Sequence, residues 1–145
     1  MNDRPRNKLT VREMREINRH HLRPSRLIAV QVHDSIHQAI NLMQVYGVSQ
    51  LPVLEGDRMI GSLDERTLMH RLLEAAHCLW GEVYNYLQPP LPSLEEEAAV
   101  EDLYQLLQAG ATAVIVTRAG APVGIVTPAD VVALKVYSIP RDYEI

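Results

Sequence analysis

Slid along itself by 63 residues, the shift that lays Gly61 on Gly124, this chain matches itself without a gap. The same shift lays Gly47 on Gly110, Leu51 on Val114, Val53 on Val116, Ile60 on Val123 and Ile40 on Leu103. A repeat this small cannot bury its own apolar faces without a neighbour, and 145 residues suffice for one ordinary core or two small, mutually dependent ones. The implied fold class is α/β: two tandem strand-helix-strand-strand-helix repeats packed with pseudo-two-fold symmetry and preceded by an N-terminal helix. The match has one flaw. Ala39 falls on Asp102, and the apolar set Val100, Leu103, Tyr104 and Leu107 predicts a slightly rotated first helix in the second repeat.

Local signals supply the elements. Thr10-Val11-Arg12-Glu13 is a capping-box pattern leading a polar helix to about His21, stopped by Pro24. Leu27 to Val32 is a first strand, and Asp34 is placed to cap a helix whose face is Ile36, Ala39, Ile40 and Met43. Gly47 closes that helix as a left-handed residue. Leu51 to Leu54 and Arg58 to Leu63 are strands about the turn Glu55-Gly56-Asp57, and Asp64 caps a helix from Glu65 to about Ala76. The expected divisions are a basic helical arm over 1–26, repeat one over 27–77, a linker over 78–93 that Pro89-Pro90-Leu91-Pro92 holds extended, repeat two over 94–136, and a tail over 137–145.

Charge and composition narrow the function. Eight of the 14 basic residues lie in positions 1–26 against three acids, so the arm carries about +5 within a chain of net charge −4. No nucleic-acid motif or aromatic stacking platform accompanies it, and a solvated helix face explains the charges as well. The single cysteine, Cys78, rules out an internal disulfide framework and is expected to pack near Trp80. The six histidines include a His33/His37 pair, but no acid or thiol joins them at ligand spacing, so no metal is expected. No run is long enough to span a membrane and no signal peptide leads the chain; the expected compartment is the cytoplasm. Nucleophile elbows, phosphate-binding glycine loops and paired carboxylates are lacking, so the chain reads as a non-enzyme.

One turn carries the chemistry. In Gly124-Ile125-Val126-Thr127-Pro128-Ala129-Asp130 a short strand runs directly into a helix. Pro128 suits the first helical position, which makes Thr127 the N-cap and puts Asp130 at the third position. A hydroxyl, a carboxylate and unbonded N–H groups then meet at one helix N-terminus, a natural anion or ribose site. The same pair also serves simply as a cap.

With Gly47-Val48-Ser49-Gln50-Leu51-Pro52-Val53-Leu54 in one repeat and this Thr-x-x-Asp turn in the other, residues 27 to 136 resemble a CBS-domain pair, or Bateman module. The stretch from Val48 to Leu54, the Pro89 to Pro92 run and the Thr10-Val11-Arg12 lead resemble most the C-terminal regulatory region of bacterial cystathionine β-synthases. The catalytic part of such enzymes is not matched: Lys8 and Lys135 lack the context of a pyridoxal phosphate lysine. The resemblance implies a regulatory module that binds an adenosyl ligand, either AMP, ADP or ATP, or S-adenosylmethionine, between the repeats. It implies that Asp130 holds the ribose hydroxyls and that Thr127 contacts the group attached beyond the ribose, with Pro128 and Ile125 beside them. It draws the adenine walls from Val48, Ser49, Leu51, Pro52, Ile28 and Val30. For a nucleotide, nearby sequence offers only Arg118, on a hairpin turn, with the helix's own N–H groups, and the basic arm adds Arg23 or Arg26 if it folds back over the entry strand; Arg26 is the expected phosphate partner.

The corresponding turn of repeat one reads Asp64-Glu65-Arg66-Thr67, which puts an acid where the hydroxyl belongs and a hydroxyl where the acid belongs. One competent site is therefore expected. Leu68, Leu72, Leu106 and Val132 are more apolar helix positions than one small chain should cover, so a homodimer built from helix faces is expected. A ligand-free dimeric scaffold is the alternative function, and a catalytic domain or separate effector would be the regulated partner.

Overall fold

The computed structural model describes residues 9–21 and 27–138. These form two compact units: Ile28–Leu91, and Pro92 onward together with the N-terminal segment to Leu27. The chain begins with α1 (Val11–His21), whose capping box is present: Thr10 N–H donates to Glu13 Oε1 at 3.0 Å, and Glu13 N–H donates to Thr10 Oγ1 at 3.1 Å.

Within Ile28–Leu91 the order is β1 (Val30–Gln31), α2 (Ile36–Tyr46), β2 (Gln50–Glu55), β3 (Arg58–Asp64) and α3 (Glu65–Glu74). The strands form a sheet ordered β1-β2-β3, parallel between β1 and β2 and antiparallel across the hairpin. Only Val30 and Gln31 of the expected first strand pair with β2, and just beyond them the chain turns, the Asp34 carboxylate accepting the Gln31 N–H at 2.9 Å. That engagement removes Asp34 as the helix cap. Ser35 takes the role, accepting from Gln38 N–H at 3.1 Å while Gln38 Oε1 accepts the Ser35 N–H at 2.7 Å. Gly47 closes α2 at φ 65, as expected of a left-handed C-cap. Helix α3 stops at Glu74, two residues early, where Ala75 turns extended. Val30, Leu51, Val53 and Leu63 of the sheet pack with Ile36, Ala39, Met43 and Leu68 of the helices to form the core.

The other unit repeats this plan with β4 (Ser93–Glu95), α4 (Val100–Gln108), β5 (Val114–Arg118), β6 (Ala121–Val126) and α5 (Pro128–Ser138). Its sheet is ordered β4-β5-β6, and the hairpins slip register at matching places, between Val53 and Leu54 and between Val116 and Thr117. Helix α4 is not rotated relative to α2. It is shorter: Ser35 and Ala99 cap the two helices, so the repeats correspond by 64 residues there, and Ala39 matches the buried Leu103. The correspondence returns to 63 beyond the helix, one residue having been lost before Gly110.

Each unit is completed by a segment lying outside the repeat it closes. In Ile28–Leu91 the segment after α3 returns to the start of α2: Ile36 N–H donates to Gly81 O, Val83 N–H to Asp34 O and Tyr84 N–H to Val32 O. In the other unit the residues leading into α1 make the same ladder: Val100 N–H donates to Leu9 O, Val11 N–H to Ala98 O and Arg12 N–H to Glu96 O. Val83 enters the first core fully buried, and Val11 and Met14 enter the second. Helix α1 is thus more than a solvated basic face.

The two aligned glycines lie beneath these segments. A Cβ at Gly61 would stand 2.8 Å from Gln88 O, and one at Gly124 would overlap the Arg15 guanidinium. Among the described residues no helix is long and apolar enough to cross a membrane.

Candidate functional site at the head of helix α5

Strand β6 delivers Thr127 to the start of α5, and Pro128 occupies the first helical position, where its missing N–H leaves no bond unmade. Asp130 turns back on the cap. Its Oδ2 accepts both the Thr127 N–H, at 2.8 Å, and the Thr127 hydroxyl, at 3.2 Å. The pair therefore closes the helix end through one carboxylate oxygen, without using Oδ1. Thr127 and Asp130 are half-buried, Ile125 is half-buried and Pro128 is exposed, so the turn keeps an open side. Helix α1 supports it from within the same unit: Asn18 Nδ2 donates to Asp130 O at 3.0 Å, and Arg15 donates to Val123 O at 3.3 Å. Neither contact is signalled by the local sequence, since they join residues more than 100 positions apart.

The matching turn of repeat one contains the same pair in reverse order, and closes more fully. Asp64 Oδ1 accepts the Thr67 N–H at 2.7 Å while Oδ2 accepts the Thr67 hydroxyl at 3.1 Å. Both carboxylate oxygens are engaged in the cap. The first helical N–H, from Glu65, donates to Ser49 O at 2.9 Å.

The residues expected to form the adenine walls all lie in Ile28–Leu91. Val30 and Leu51 are enclosed in that unit's own core, at 1% and 0% exposure, so their side chains are committed to holding β1 and β2 onto the helices. Pro52, next to Leu51 on β2, is buried on the other face of the sheet by the alternation of the strand. Ile28 and Val48 pack partly against the core and Ser49 is exposed. Arg26 lies outside the described residues.

The charges near β4 are committed elsewhere. Glu96 is buried and receives Arg118 through two hydrogen bonds, 2.6 Å from Nε and 3.2 Å from Nη2. The Arg118 guanidinium holds the Glu96 carboxyl below its usual range. Arg118 thus has two of its N–H donors engaged by Glu96, while its side chain stays largely exposed. Glu95 accepts the Thr117 hydroxyl and the Gly120 N–H, which lower its pKa in that order. On the other unit, His33 Nδ1 meets Glu82 at 2.9 Å and its pKa is raised by that hydrogen bond. Cys78 is buried, while Trp80 is exposed and stacks on His37 at 5.1 Å. Among the described residues no group of three His, Cys, Asp or Glu side chains could hold a metal.

The family model for the CBS domain matches residues 12–74 and 81–137. Among solved structures, the chain is similar to the CBS domain NE2398, with TM-score 0.72 and 17% identity over 90% of this chain and 99% of that one. It is similar to the CBS-domain protein ATU1752 of Agrobacterium tumefaciens, with TM-score 0.70 and 19% identity over 92% and 99% of the two chains. A third relative is Hypoxic Response Protein I, described with two coordinated zinc ions, at TM-score 0.68 and 19% identity over 91% and 100%. At such identities the likeness speaks for the fold.

Proposed function

The chain belongs to the CBS-domain family, and from that premise we propose that it is a regulatory module that senses an adenosyl ligand through Thr127 and Asp130. The observation carrying this reading is the unequal use of the two acids. Asp130 caps α5 through Oδ2 alone, whereas Asp64 engages both oxygens in its own cap. A carboxylate oxygen not taken up by the cap suits the charge-assisted pairing that ribose hydroxyls require. Pro128 and Ile125 border the turn, and Ile28, Val48, Ser49 and Pro52 remain the candidates for an apolar wall. The role is regulatory rather than catalytic and its setting cytoplasmic. A bound ligand would act on a linked catalytic domain or separate effector by preferring one arrangement of the module over another.

Between ligands we favour a nucleotide, with Arg26 as phosphate partner because Arg118 is paired with Glu96. The finer resemblance to cystathionine β-synthase regulatory regions is not supported by the relatives found, and gives S-adenosylmethionine no advantage. The chain is expected to work as a homodimer. A ligand-free scaffold is the second reading, favoured by the apolar helix residues left exposed, Met69, Leu73, Val132 and Val136.

Titration calorimetry with AMP, ADP, ATP and S-adenosylmethionine tests the site. Asp130→Ala should weaken binding by about 1.5–3 kcal/mol, while Thr67→Ala should leave it nearly unchanged. Nucleotide affinity should also fall with added salt. Equal losses in both variants would place the site elsewhere, a tighter and salt-insensitive S-adenosylmethionine complex would overturn the choice of ligand, and no binding at all would favour the scaffold.

A further inference from the structure

The two helix-start turns differ in what lies along the strand that delivers them. Strands β3 and β6 are each the last strand of their sheet, with an outer edge to be covered. On β3 the cover is main chain: Ser62 N–H donates to Gln88 O at 3.0 Å, and Gln88 N–H donates to Ser62 O at 2.8 Å. Leu87 and Gln88, which lie over Gly61, are neutral, and the turn that follows opens with two acids, Asp64 and Glu65.

On β6 the cover is a cation. Arg15 reaches across from α1, donates from Nη2 to Val123 O at 3.3 Å, and sets its guanidinium against Gly124 in the space that a Cβ would fill. The lack of a side chain at 124 is thus what seats the charge on the strand. That seat lies three residues before Thr127, about 10 Å of strand. The Arg15 side chain is half-buried and ends in a flexible stem. Thr127 and Pro128 stand where repeat one has Asp64 and Glu65, so Asp130 is the one acid of this turn. Arg12, Arg118 and Lys135 of the same unit are engaged elsewhere: Arg12 with Glu97 at 3.0 Å, Arg118 with Glu96, and Lys135 over the Tyr104 ring late in α5.

A second feature marks the same place. Asn18 lies one turn beyond Arg15 on the same face of α1 and is 9% exposed. Its Nδ2 donates to Asp130 O at 3.0 Å, while its Oδ1, also buried, has no hydrogen-bond partner among the described residues. A buried acceptor without a donor is costly. The cap alone therefore does not complete the polar groups at the head of α5.

We propose that Arg15 is a phosphate-binding residue of the Thr127–Asp130 site and makes it select adenosyl ligands with an anionic group beyond the ribose. This rests on the reading of Thr127 and Asp130 given above, and adds to it a cation from within the same unit. With the ribose on Asp130, the phosphate lies toward the head of α5, where the helix end favours an anion. The guanidinium leaves the neutral Val123 carbonyl for a charged acceptor that suits its fork of donors. Adenosine gives it nothing to pair with, and the sulfonium of S-adenosylmethionine is repelled by it.

The test compares AMP with adenosine by titration calorimetry on the full chain, with circular dichroism to confirm folding. Wild type should bind AMP about tenfold or more tightly than adenosine. R15M should remove that preference, weakening AMP about tenfold or more and leaving adenosine within about twofold. R15K should restore part of it, since an ammonium keeps the charge without the fork. R12M removes a charge from the same helix at its exposed pair with Glu97 and should leave the preference intact. Equal weakening of both compounds by R15M would mean that Arg15 only holds the fold, and would overturn the proposal; so would an equal loss of preference in R12M. Adenosine reports the underlying site separately. If D130A abolishes adenosine binding while R15M keeps the preference for AMP, the site stands and Arg15 is not its phosphate partner. If wild type binds neither compound, both readings fall.

Discussion

The aligned glycines make a sharp energetic contrast, because what lies over them is backbone in one case and a flexible side chain in the other. In Gly61→Ala the new methyl would stand 2.8 Å from Gln88 O and 3.0 Å from Leu87 Cδ2. No rotamer change removes a clash with a carbonyl, so residues 87 and 88 must move away. They are held to β3 by two hydrogen bonds, Ser62 N–H to Gln88 O at 3.0 Å and Gln88 N–H to Ser62 O at 2.8 Å. Weakening these costs about 0.5–1.5 kcal/mol each, and the remaining overpacking about 1–3 kcal/mol. The expected destabilisation is about 2–6 kcal/mol, a large part of the ~5–15 kcal/mol that holds a typical domain.

In Gly124→Ala the obstacle is the end of the Arg15 side chain, which can swing aside. It would give up its bond to Val123 O, so the loss should stay near ~1 kcal/mol. Urea unfolding monitored by circular dichroism measures both. A double variant separates the mechanisms: with Arg15→Ala already in place, Gly124→Ala should cost almost nothing further, whereas Leu87→Ala should not rescue Gly61→Ala. Equal costs at the two glycines, or rescue of Gly61→Ala by Leu87→Ala, would refute the account.

The packing and the charges set two further outcomes. Met14→Ala should destabilise by about 2–5 kcal/mol and expose the amides of Val114 and Val116 to hydrogen exchange before that of Val53, because Met14 is fully buried in the core of β4–β6; simultaneous exposure would contradict that placement. Glu95 and Glu96 have folded-state pKa values below the ordinary carboxylate range, so their contribution is present above about pH 4.5 and is lost as the pH falls through the folded values. Stability should therefore drop on acidification, and less steeply in Glu96→Gln. His33 acts in the opposite sense, its raised pKa favouring the fold below neutrality and losing that effect as pH rises. A Glu96→Gln profile identical to wild type would contradict the role given to the Arg118 pair.

The repeat was legible because its landmarks are residue types with few substitutes: a glycine under a crossing segment, a left-handed glycine at a helix end, a proline at a helix start. Where several types serve equally, the choice went to contacts the sequence does not display. Asp34 and Ser35 are both good caps, and only the engagement of Asp34 with Gln31 N–H left the helix to Ser35. Leu68 and Met69 both fit an apolar helix stripe, and the core took the first and left the second outside. The residue missing from α4 was hidden for a related reason: the alignment was anchored on glycines beyond the helix, whereas the caps that show the deletion lie before it. At the candidate site the pairing of Thr127 with Asp130 could be read from their spacing, while the support from Arg15 and Asn18 could not.

That support shows what kind of object the tandem pair is. The ladder made by Leu9, Val11 and Arg12 closes the repeat that comes second in the chain, and the ladder made by Gly81, Val83 and Tyr84 closes the one that comes first. Each repeat is finished by residues that precede the other repeat in sequence. The core around Met14 therefore spans the whole length of repeat one along the chain, and that loop must be closed before burial of Met14 can contribute. A mutation in α1 should for the same reason be felt at the head of α5, where Asn18 holds Asp130, rather than in the repeat directly after α1. A ligand bound as proposed at Thr127 and Asp130 would have a physical route to helix α1: a shift of the first turn of α5 would act on the carbonyl that Asn18 holds.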